Sequence, residues 1–245
     1  MVSIVGTRMA TDRGKELTRQ LVLDLKELVP DTTVISGLAY GIDVAAHRAA
    51  LEAGLPTIII PAHGLDRIYP AIHRDVAVQA LQQGGLLTEY TSGTEPEKWN
   101  FVARNRIVAG LSDATLVVES PARGGSLITA NMSRDYDREV MAVPGRPQDI
   151  YSQGCNALIR DQKASLVGSA EDIANVMNWA MQKSPFDSQL QMPLDECSDE
   201  ELVLMRLLDG EDNGVHINEL VMQSAMPYSD VASLLMMLEL KQKKI

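Results

Sequence analysis

The sequence predicts an α/β fold in which a parallel β-sheet carries helices on both faces, followed by a small helical domain. Short β-branched apolar runs alternate with helix-length amphipathic stretches up to about residue 182, which is typical of parallel strands joined by crossover helices. Apolar residues make up 45% of the chain and aromatic residues only 4%, so the core is expected to be aliphatic.

Seven strands and seven helices are predicted in this first part. The strands are expected at residues 2–5, 33–36, 57–61, 86–89, 114–119, 140–143 and 165–167. The helices are expected at residues 12–28, 42–53, 71–83, 103–109, 127–137, 156–162 and 170–181. Glycine-containing turns follow several strands, and in a parallel sheet such turns meet at the edge that holds the carboxyl ends. One crevice at that edge is therefore the expected place of function.

The last part of the chain is predicted to be a separate helical domain at residues 199–245. Residues 183–198 combine Pro, Ser, Asp and Gln without periodicity, so they are predicted to link it to the first domain at residues 1–182. Ser198 and the acids after it predict the start of a helix ending at Leu208. Further helices are predicted at residues 216–223 and 228–240. The spacing resembles a winged helix, and we expect that module to be truncated where the wing would begin.

The charge distribution limits where a polyanion could bind. The chain has a net charge of −11, which argues against a globally basic, nucleic-acid-binding surface. Residues 184–245 carry 12 acidic and 4 basic residues, a net charge of −8, whereas residues 1–183 have a net charge of −3. Any nucleic-acid site is therefore expected to be a focused basic pocket on the first domain.

The sequence gives no support to a membrane protein, a secreted protein or a cysteine-based metal site. The apolar runs are strand-length and far short of the roughly 20 residues of a membrane-spanning helix. No secretory signal begins the sequence. Cys155 and Cys197 lack the spacing of a metal site. We therefore expect a cytoplasmic protein with reduced thiols, no membrane association, no metal and no cofactor.

Two turns in the first half of the chain carry candidate ligand-binding residues. Gly6, Thr7 and Arg8 join a predicted strand to a helix, where backbone N–H groups bind anions in open α/β sheets. They do not form the glycine-rich motif that binds dinucleotides. The alternative interpretation is that Gly6 only allows a tight turn and Arg8 is an ordinary surface charge. The second turn, residues 36–43, offers two glycines and a serine hydroxyl. Asp43 and His47 share a helical face there. They are either an acid/base or metal-binding pair, or an Asp that caps the helix and a His that packs in the core.

Two later segments complete the candidate site. Residues 98–110 (KWNFVARNRIVAG) interleave basic and aromatic residues, as a single-strand groove requires, because cations follow the backbone while a ring stacks on a base. A solvated helix with a buried Phe is the alternative. Residues 119–130 form another strand, glycine-rich turn and helix, in which Gly124, Gly125 and Ser126 can form an anion-binding nest.

The blocks GTR, SGLAYGIDVAAH, FVARNRIVAGLS, GGSLITA, AVPG and GCNALI, in this order, resemble the DprA/Smf family of DNA-processing proteins. The resemblance implies an extended Rossmann-like fold that binds single-stranded DNA, forms a homodimer and helps load the RecA recombinase during natural transformation. It covers residues 1–182 closely and the remainder loosely. The positions that match the family's DNA pocket are Arg8, Ser36, Gly37, Lys98, Phe101, Arg104, Asn105, Arg106, Gly125 and Ser126.

One departure from the family concerns Tyr40, which stands where the family often has Arg or Lys. The contact that a basic residue would make with the DNA at this position is therefore either replaced by stacking of the Tyr40 ring or lost. The resemblance also implies an N-terminal helical domain, which we expect to lie outside this sequence.

Two other functions remain as alternatives. A nucleotide phosphoribohydrolase has a related Rossmann core with a PGGxGTxxE turn, but the matching stretch ARGGSLITA lacks the catalytic acid. A non-enzymatic function is therefore expected. A regulator that reads duplex DNA through the winged helix is disfavoured by the net charge of −8, because groove binding needs phosphate contacts.

Overall fold

The computed structural model describes residues 1–181, 198–208 and 215–240. The chain divides into two compact units, Met1–Gln182 and Lys183–Ile245. The linker predicted at residues 183–198 lies outside the described residues except for Ser198.

The first unit contains a seven-stranded sheet in which all strand pairs are parallel and the order is β4-β3-β2-β1-β5-β6-β7. The strands are β1 (Val2–Val5), β2 (Val34–Ser36), β3 (Thr57–Ile59), β4 (Gly85–Leu86), β5 (Ala114–Val117), β6 (Glu139–Ala142) and β7 (Ser165–Leu166). The chain builds outward from β1 to β4 and then returns to β5 on the other side of β1. This topology confirms the predicted parallel α/β fold.

Helices connect these strands and cover both faces of the sheet. They are α1 (Asp12–Leu28), α2 (Ile42–Ala53), α3 (Arg74–Gln83), α4 (Lys98–Leu111), α5 (Gly125–Asp135), α6 (Gln153–Arg160) and α7 (Ala170–Val176), with short 3₁₀ turns at Ala71–His73 and Ile150–Ser152. One aliphatic core lies under α1, α2 and α7, and a second lies under α4, α5 and α6. None of the described helices combines the length and apolarity needed to cross a bilayer.

Local sequence signals explain where several helices begin and end. Thr11 caps α1, since its side chain accepts a hydrogen bond from the Gly14 N–H at 3.0 Å. Helix α2 ends at Ala53, and the next residue, Gly54, has a φ of 68°, the left-handed conformation that glycine adopts without strain. Ser169 and Asp172 form a capping box at α7.

Helix α4 begins five residues earlier than the sequence predicted, at Lys98 instead of residue 103. The prediction was wrong because the basic and aromatic residues at its start interrupt the apolar period expected of a helix. The predicted strand at residues 86–89 is reduced to Gly85–Leu86, and the helix predicted to reach residue 181 ends at Val176.

The described residues of the second unit contain three helices, α8 (Asp199–Leu208), α9 (Ile217–Ser224) and α10 (Tyr228–Leu240). They enclose a small core of Leu204, Leu220, Val231 and Leu238. The start of α8 is the predicted one, because the Ser198 hydroxyl accepts a hydrogen bond from the Glu201 N–H at 3.2 Å. All three predicted helices of this domain are thus present.

Candidate nucleic-acid interface

The candidate site lies at the edge of the sheet where the parallel strands have their carboxyl ends. The turns after β1, β2 and β3 meet there with the first turn of α4. Links between the turns hold this edge together: the Ile42 N–H donates to the Thr7 carbonyl at 3.3 Å, and the Thr7 N–H donates to the Glu119 carbonyl at 2.7 Å. Backbone from three separate strand ends is thereby fixed in one place.

Arg8 and Phe101 meet at this edge although 93 positions separate them in the sequence. The Arg8 guanidinium carbon lies 5.1 Å from the centroid of the Phe101 ring, a distance typical of a cation–π contact. Tyr69 touches the same ring, with centroids 5.8 Å apart and the planes inclined by 56°. Arg8 is exposed and Phe101 is half-buried. A cation and two aromatic rings therefore share one surface.

Lys98 stands at the first position of α4 and is exposed. Lys98 and Phe101 share a helical face because they are three positions apart. Glu97, the N-cap residue, makes no side-chain capping hydrogen bond. Lys98 has no ion-pair partner among the residues that the structure describes. The first turn of α4 thus places a cation without an ion pair at a helix N-terminus, which favours an anion.

Arg104 lies below this surface and is only 4% exposed. Its Nη1 donates to the Gly37 carbonyl at 3.0 Å and also to the Ile60 carbonyl. A Cβ at Gly37 would collide with the Arg104 guanidinium, so a larger residue there would force this side chain to shift. Burial lowers the pKa of Arg104, and the charge of nearby Asp43 opposes that effect. Arg104 therefore joins α4 to the turns after β2 and β3, instead of reaching the surface.

Two serines of the predicted set are also buried and engaged within the protein. The Ser36 hydroxyl donates to the Ile4 carbonyl at 2.6 Å, and the Ser126 hydroxyl donates to the Ser120 oxygen at 2.9 Å. Gly125 is exposed and has open space around it. Within the described parts of the chain, no hydrogen bond, ion pair or ring contact joins Gly125 or Ser126 to Arg8 or Phe101.

The remaining two predicted residues follow Arg104 on α4. The Asn105 side-chain oxygen accepts a hydrogen bond from Arg104 Nε at 3.4 Å, so this half-buried amide helps to orient the guanidinium. Arg106 is exposed and forms an ion pair with Glu89. A polyanion would have to compete with Glu89 for this cation.

Asp43 and His47 match the structural interpretation of their spacing. The Asp43 carboxylate accepts a hydrogen bond from the Ala39 N–H at 3.4 Å, and burial raises the pKa of Asp43, against the opposing charge of Arg104. His47 is fully buried and 2.8 Å from the Thr57 hydroxyl oxygen. The described residues contain no group of three or more His, Cys, Asp or Glu side chains arranged to hold a metal ion.

Sequence reasoning missed Glu119, whose carboxylate occupies the start of α1. It accepts hydrogen bonds from the Thr11 N–H at 2.9 Å and the Thr11 hydroxyl at 2.6 Å. A carboxylate of the protein thus takes the position near a helix N-terminus where a phosphate often binds in open α/β folds. Arg8 is therefore better placed than the start of α1 to meet an anion.

Tyr69 was missed as well. It belongs to the turn after β3, and the only sequence signal is an aromatic residue in a polar turn at a strand's carboxyl end. Its contact with Phe101 is known only from the structure, because the two residues come from different elements.

The fold and this edge define a class of protein: a Rossmann-like α/β protein that presents cationic and aromatic side chains beyond the carboxyl ends of a parallel sheet. The chain belongs to the DNA recombination-mediator protein A family, which matches residues 1–178. This confirms the resemblance seen in the sequence.

Among curated proteins, the chain is 38% identical over 172 residues to the DNA processing protein DprA of Streptococcus pneumoniae, covering 70% of this chain and 60% of the relative. It is 37% identical over 237 residues to a putative DNA processing protein DprA of Mycobacterium tuberculosis, covering 97% of this chain and 60% of the relative. The chain thus spans about three fifths of the length of these two relatives.

Two solved structures share the fold. The X-ray structure of the Streptococcus pneumoniae protein matches with a TM-score of 0.65 and 38% identity, over 71% of this chain and 60% of that one. DNA processing protein A of Helicobacter pylori matches with a TM-score of 0.64 and 31% identity, over 72% of this chain and 79% of that one. The Helicobacter structure was described for its single-stranded DNA binding mode.

Proposed function

We propose that the chain binds single-stranded DNA, with little sequence preference, through the surface formed by Arg8, Lys98 and Phe101. The observation that carries this proposal is the contact between Arg8 and Phe101, with Lys98 on the same helical face as the ring. Cations neutralise phosphates while a ring stacks on a base, and neither contact reads the identity of the base. The reported DNA binding mode of the Helicobacter pylori relative supports this function.

The other members of the predicted set divide into surface and supporting positions. Gly125 and Arg106 are exposed and serve in this proposal as further contacts to the DNA backbone. Arg106 would replace its ion pair with Glu89 by one with a phosphate. Ser36, Gly37 and Ser126 shape the turns, and Arg104 with Asn105 fixes α4 against them. These are supporting roles, inferred from the burial and hydrogen bonds of each residue.

A salt-titrated binding assay with the full chain tests the proposal. Single-stranded oligonucleotides should bind more tightly than duplexes of the same length. Lys98→Ala should weaken binding to all sequences and lower the slope of log affinity against log salt by roughly 0.7, the value for one single-strand phosphate contact. Lys163→Ala is the matched control, since Lys163 is exposed just before β7, at the opposite edge of the sheet.

Phe101→Ala should cost about 1–3 kcal/mol of binding free energy and leave the salt slope nearly unchanged, because stacking releases no counterions. Loss of a core Phe would instead reduce stability by about 3–5 kcal/mol. A Phe101→Ala protein that melts early but binds normally would assign the ring to the core. Tight, salt-insensitive binding of duplex DNA would contradict the whole proposal.

The cellular part of the proposal is that the chain helps to load RecA onto incoming single-stranded DNA in the cytoplasm, acting as a homodimer. Membership of a recombination-mediator family supports it. Light scattering should give a mass near twice the 26.8 kDa of one chain. Addition of the chain should speed RecA assembly on single strands, and a monomer without effect on RecA would contradict this part.

We further expect no catalysis on nucleotides. The turn that resembles the phosphoribohydrolase motif contains Gly124, Gly125 and Ser126, without a carboxylate at the offset where that enzyme has its acid. Incubation with AMP should release no free base above a buffer control. Release that disappears in an Arg8→Ala variant would instead indicate an enzyme.

A further inference from the structure

We propose that Tyr40 and Tyr69 are two further base-stacking platforms, which extend the DNA site beyond Phe101. This inference rests on the proposed function, since it concerns how the same surface holds a single strand. The set of Tyr40, Tyr69 and Phe101 is called here the aromatic surface.

In the free protein, the Phe101 ring already contacts two other side chains. Arg8 lies over it at 5.1 Å, and Tyr69 touches it at 5.8 Å. A base that stacks at Phe101 therefore also lies beside Arg8 and Tyr69. Tyr69 is 45% exposed, so a large part of its ring is available to a ligand.

Tyr40 belongs to the same edge and stands beside Arg8. It is 47% exposed. The next residue, Gly41, packs so closely on the backbone of Thr7 and Arg8 that a Cβ at Gly41 would collide with it. The turn that carries Tyr40 is therefore held against the turn that carries Arg8.

Buried histidines hold both tyrosines in place. His73 meets the Tyr40 ring edge-on, with centroids 5.0 Å apart, and its Nδ1 donates to the Leu38 carbonyl at 2.9 Å. His63 Nε2 accepts a hydrogen bond from the Tyr69 N–H at 3.1 Å, and His63 Nδ1 donates to the Gly64 carbonyl at 2.8 Å. A platform that is already ordered loses little entropy when a base stacks on it.

The cations around this edge give a second, independent reason to expect stacking. Arg67 is engaged by Asp66 and Glu95, Arg106 is engaged by Glu89, and Arg104 is buried. In the described part of the chain, Arg8 and Lys98 form no ion pair, and neither does Arg74, the exposed residue that follows His73. Because few cations at this edge are free, we expect bases stacked on rings to supply a large share of the affinity.

The test compares an oligothymidylate with an abasic oligonucleotide of the same length, using the full chain and fluorescence anisotropy. The abasic strand keeps the phosphates and removes every base that could stack. Tyr40→Ala and Tyr69→Ala should each weaken oligothymidylate binding by about tenfold, leaving abasic binding and the salt slope nearly unchanged. Tyr40→Phe and Tyr69→Phe keep the ring and should bind like wild type.

Tyr136→Ala is the matched control, because Tyr136 is 46% exposed but follows α5, at the amino edge of the sheet. It should change neither affinity. Normal oligothymidylate binding by both Tyr→Ala variants would overturn the inference, and so would equal losses on the two strands, which would indicate a structural role. Equal binding of both strands by the wild type would leave single-strand binding intact while refuting stacking. Failure of the wild type to bind either strand would refute the proposed function as well.

Discussion

Arg104 shows how a cation near the proposed DNA site can serve the fold instead of the ligand. Its guanidinium donates to the carbonyl groups of Gly37 and Ile60, which directly follow β2 and β3. Without this side chain, those buried carbonyls would have to find other donors. The turns that carry Tyr40 and Tyr69 would then lose a common support.

We therefore expect Arg104→Met to lower the free energy of unfolding by about 1–3 kcal/mol for each carbonyl left unsatisfied. Arg106→Met, two positions along the same helix, removes only an exposed ion pair with Glu89 and should cost about 0–1 kcal/mol. Urea denaturation of both variants measures the difference. Equal effects would mean that Arg104 does not support the turns as described.

His47 makes the stability of the first unit depend on pH. The Thr57 hydroxyl oxygen lies 3.0 Å from the Val34 carbonyl oxygen and 2.8 Å from His47 Nδ1. His47 Nε2 is buried and makes no hydrogen bond of good geometry among the described residues, and the Ser36 backbone only partly offsets the effect of burial on the His47 pKa. Burial lowers the pKa of His47 from 6.5 to about 3, so the folded protein keeps this imidazole neutral.

The unfolded chain binds a proton at His47 near pH 6.5, and the folded chain does not. The stability contributed by this group is complete above pH 6.5 and is lost as the pH falls toward about 3. Between about pH 6.5 and about pH 5, above the carboxylate range, its loss approaches about 1.4 kcal/mol per pH unit. His47→Gln should flatten the stability profile in this window, whereas the exposed His216→Gln should not. An unchanged profile in His47→Gln would show that the residue is protonated or hydrated in the folded state.

At the scale of elements, the sequence predicted the strands, the order of helices and the convergence of the turns, because alternating apolar runs fix which segments are buried. It misplaced the start of α4, where Trp99 is exposed and Phe101 faces a partner on another element. Here the helix is held by its contacts with the turns after β1 and β2, which local periodicity does not contain.

The same limit applies to the site. Arg8 and Phe101 were both predicted, and the fold brings them into contact. Ser36, Arg104 and Ser126 carry polar groups of the expected type, but their partners come from distant segments, so their burial was not visible in the sequence. A motif reveals which side chains gather at an edge. Which of them face the solvent depends on the carbonyl and hydroxyl groups that other elements present.

At the scale of the whole molecule, most of the net negative charge lies in one unit and the candidate site lies in the other. The sheet, the turns and the aromatic surface all lie in the first unit, Met1–Gln182. Residues 184–245 hold 12 acidic and 4 basic residues, a net charge of −8. The second unit has a core of its own among α8, α9 and α10. The acidic unit therefore offers few phosphate contacts to the ligand proposed for the first.

Removal of residues 184–245 should leave the affinity for single-stranded DNA intact, or raise it slightly at low salt, because the repulsion between the acidic unit and the phosphates disappears. Any such gain should vanish at high salt, where charges farther apart than about 10 Å are screened. Salt-titrated anisotropy of the truncated and full chains measures both effects, and circular dichroism confirms that the first unit remains folded. The salt slope should be the same for both chains, since Arg8 and Lys98 are retained. A large loss of affinity in a folded truncated chain would place a DNA contact in the second unit.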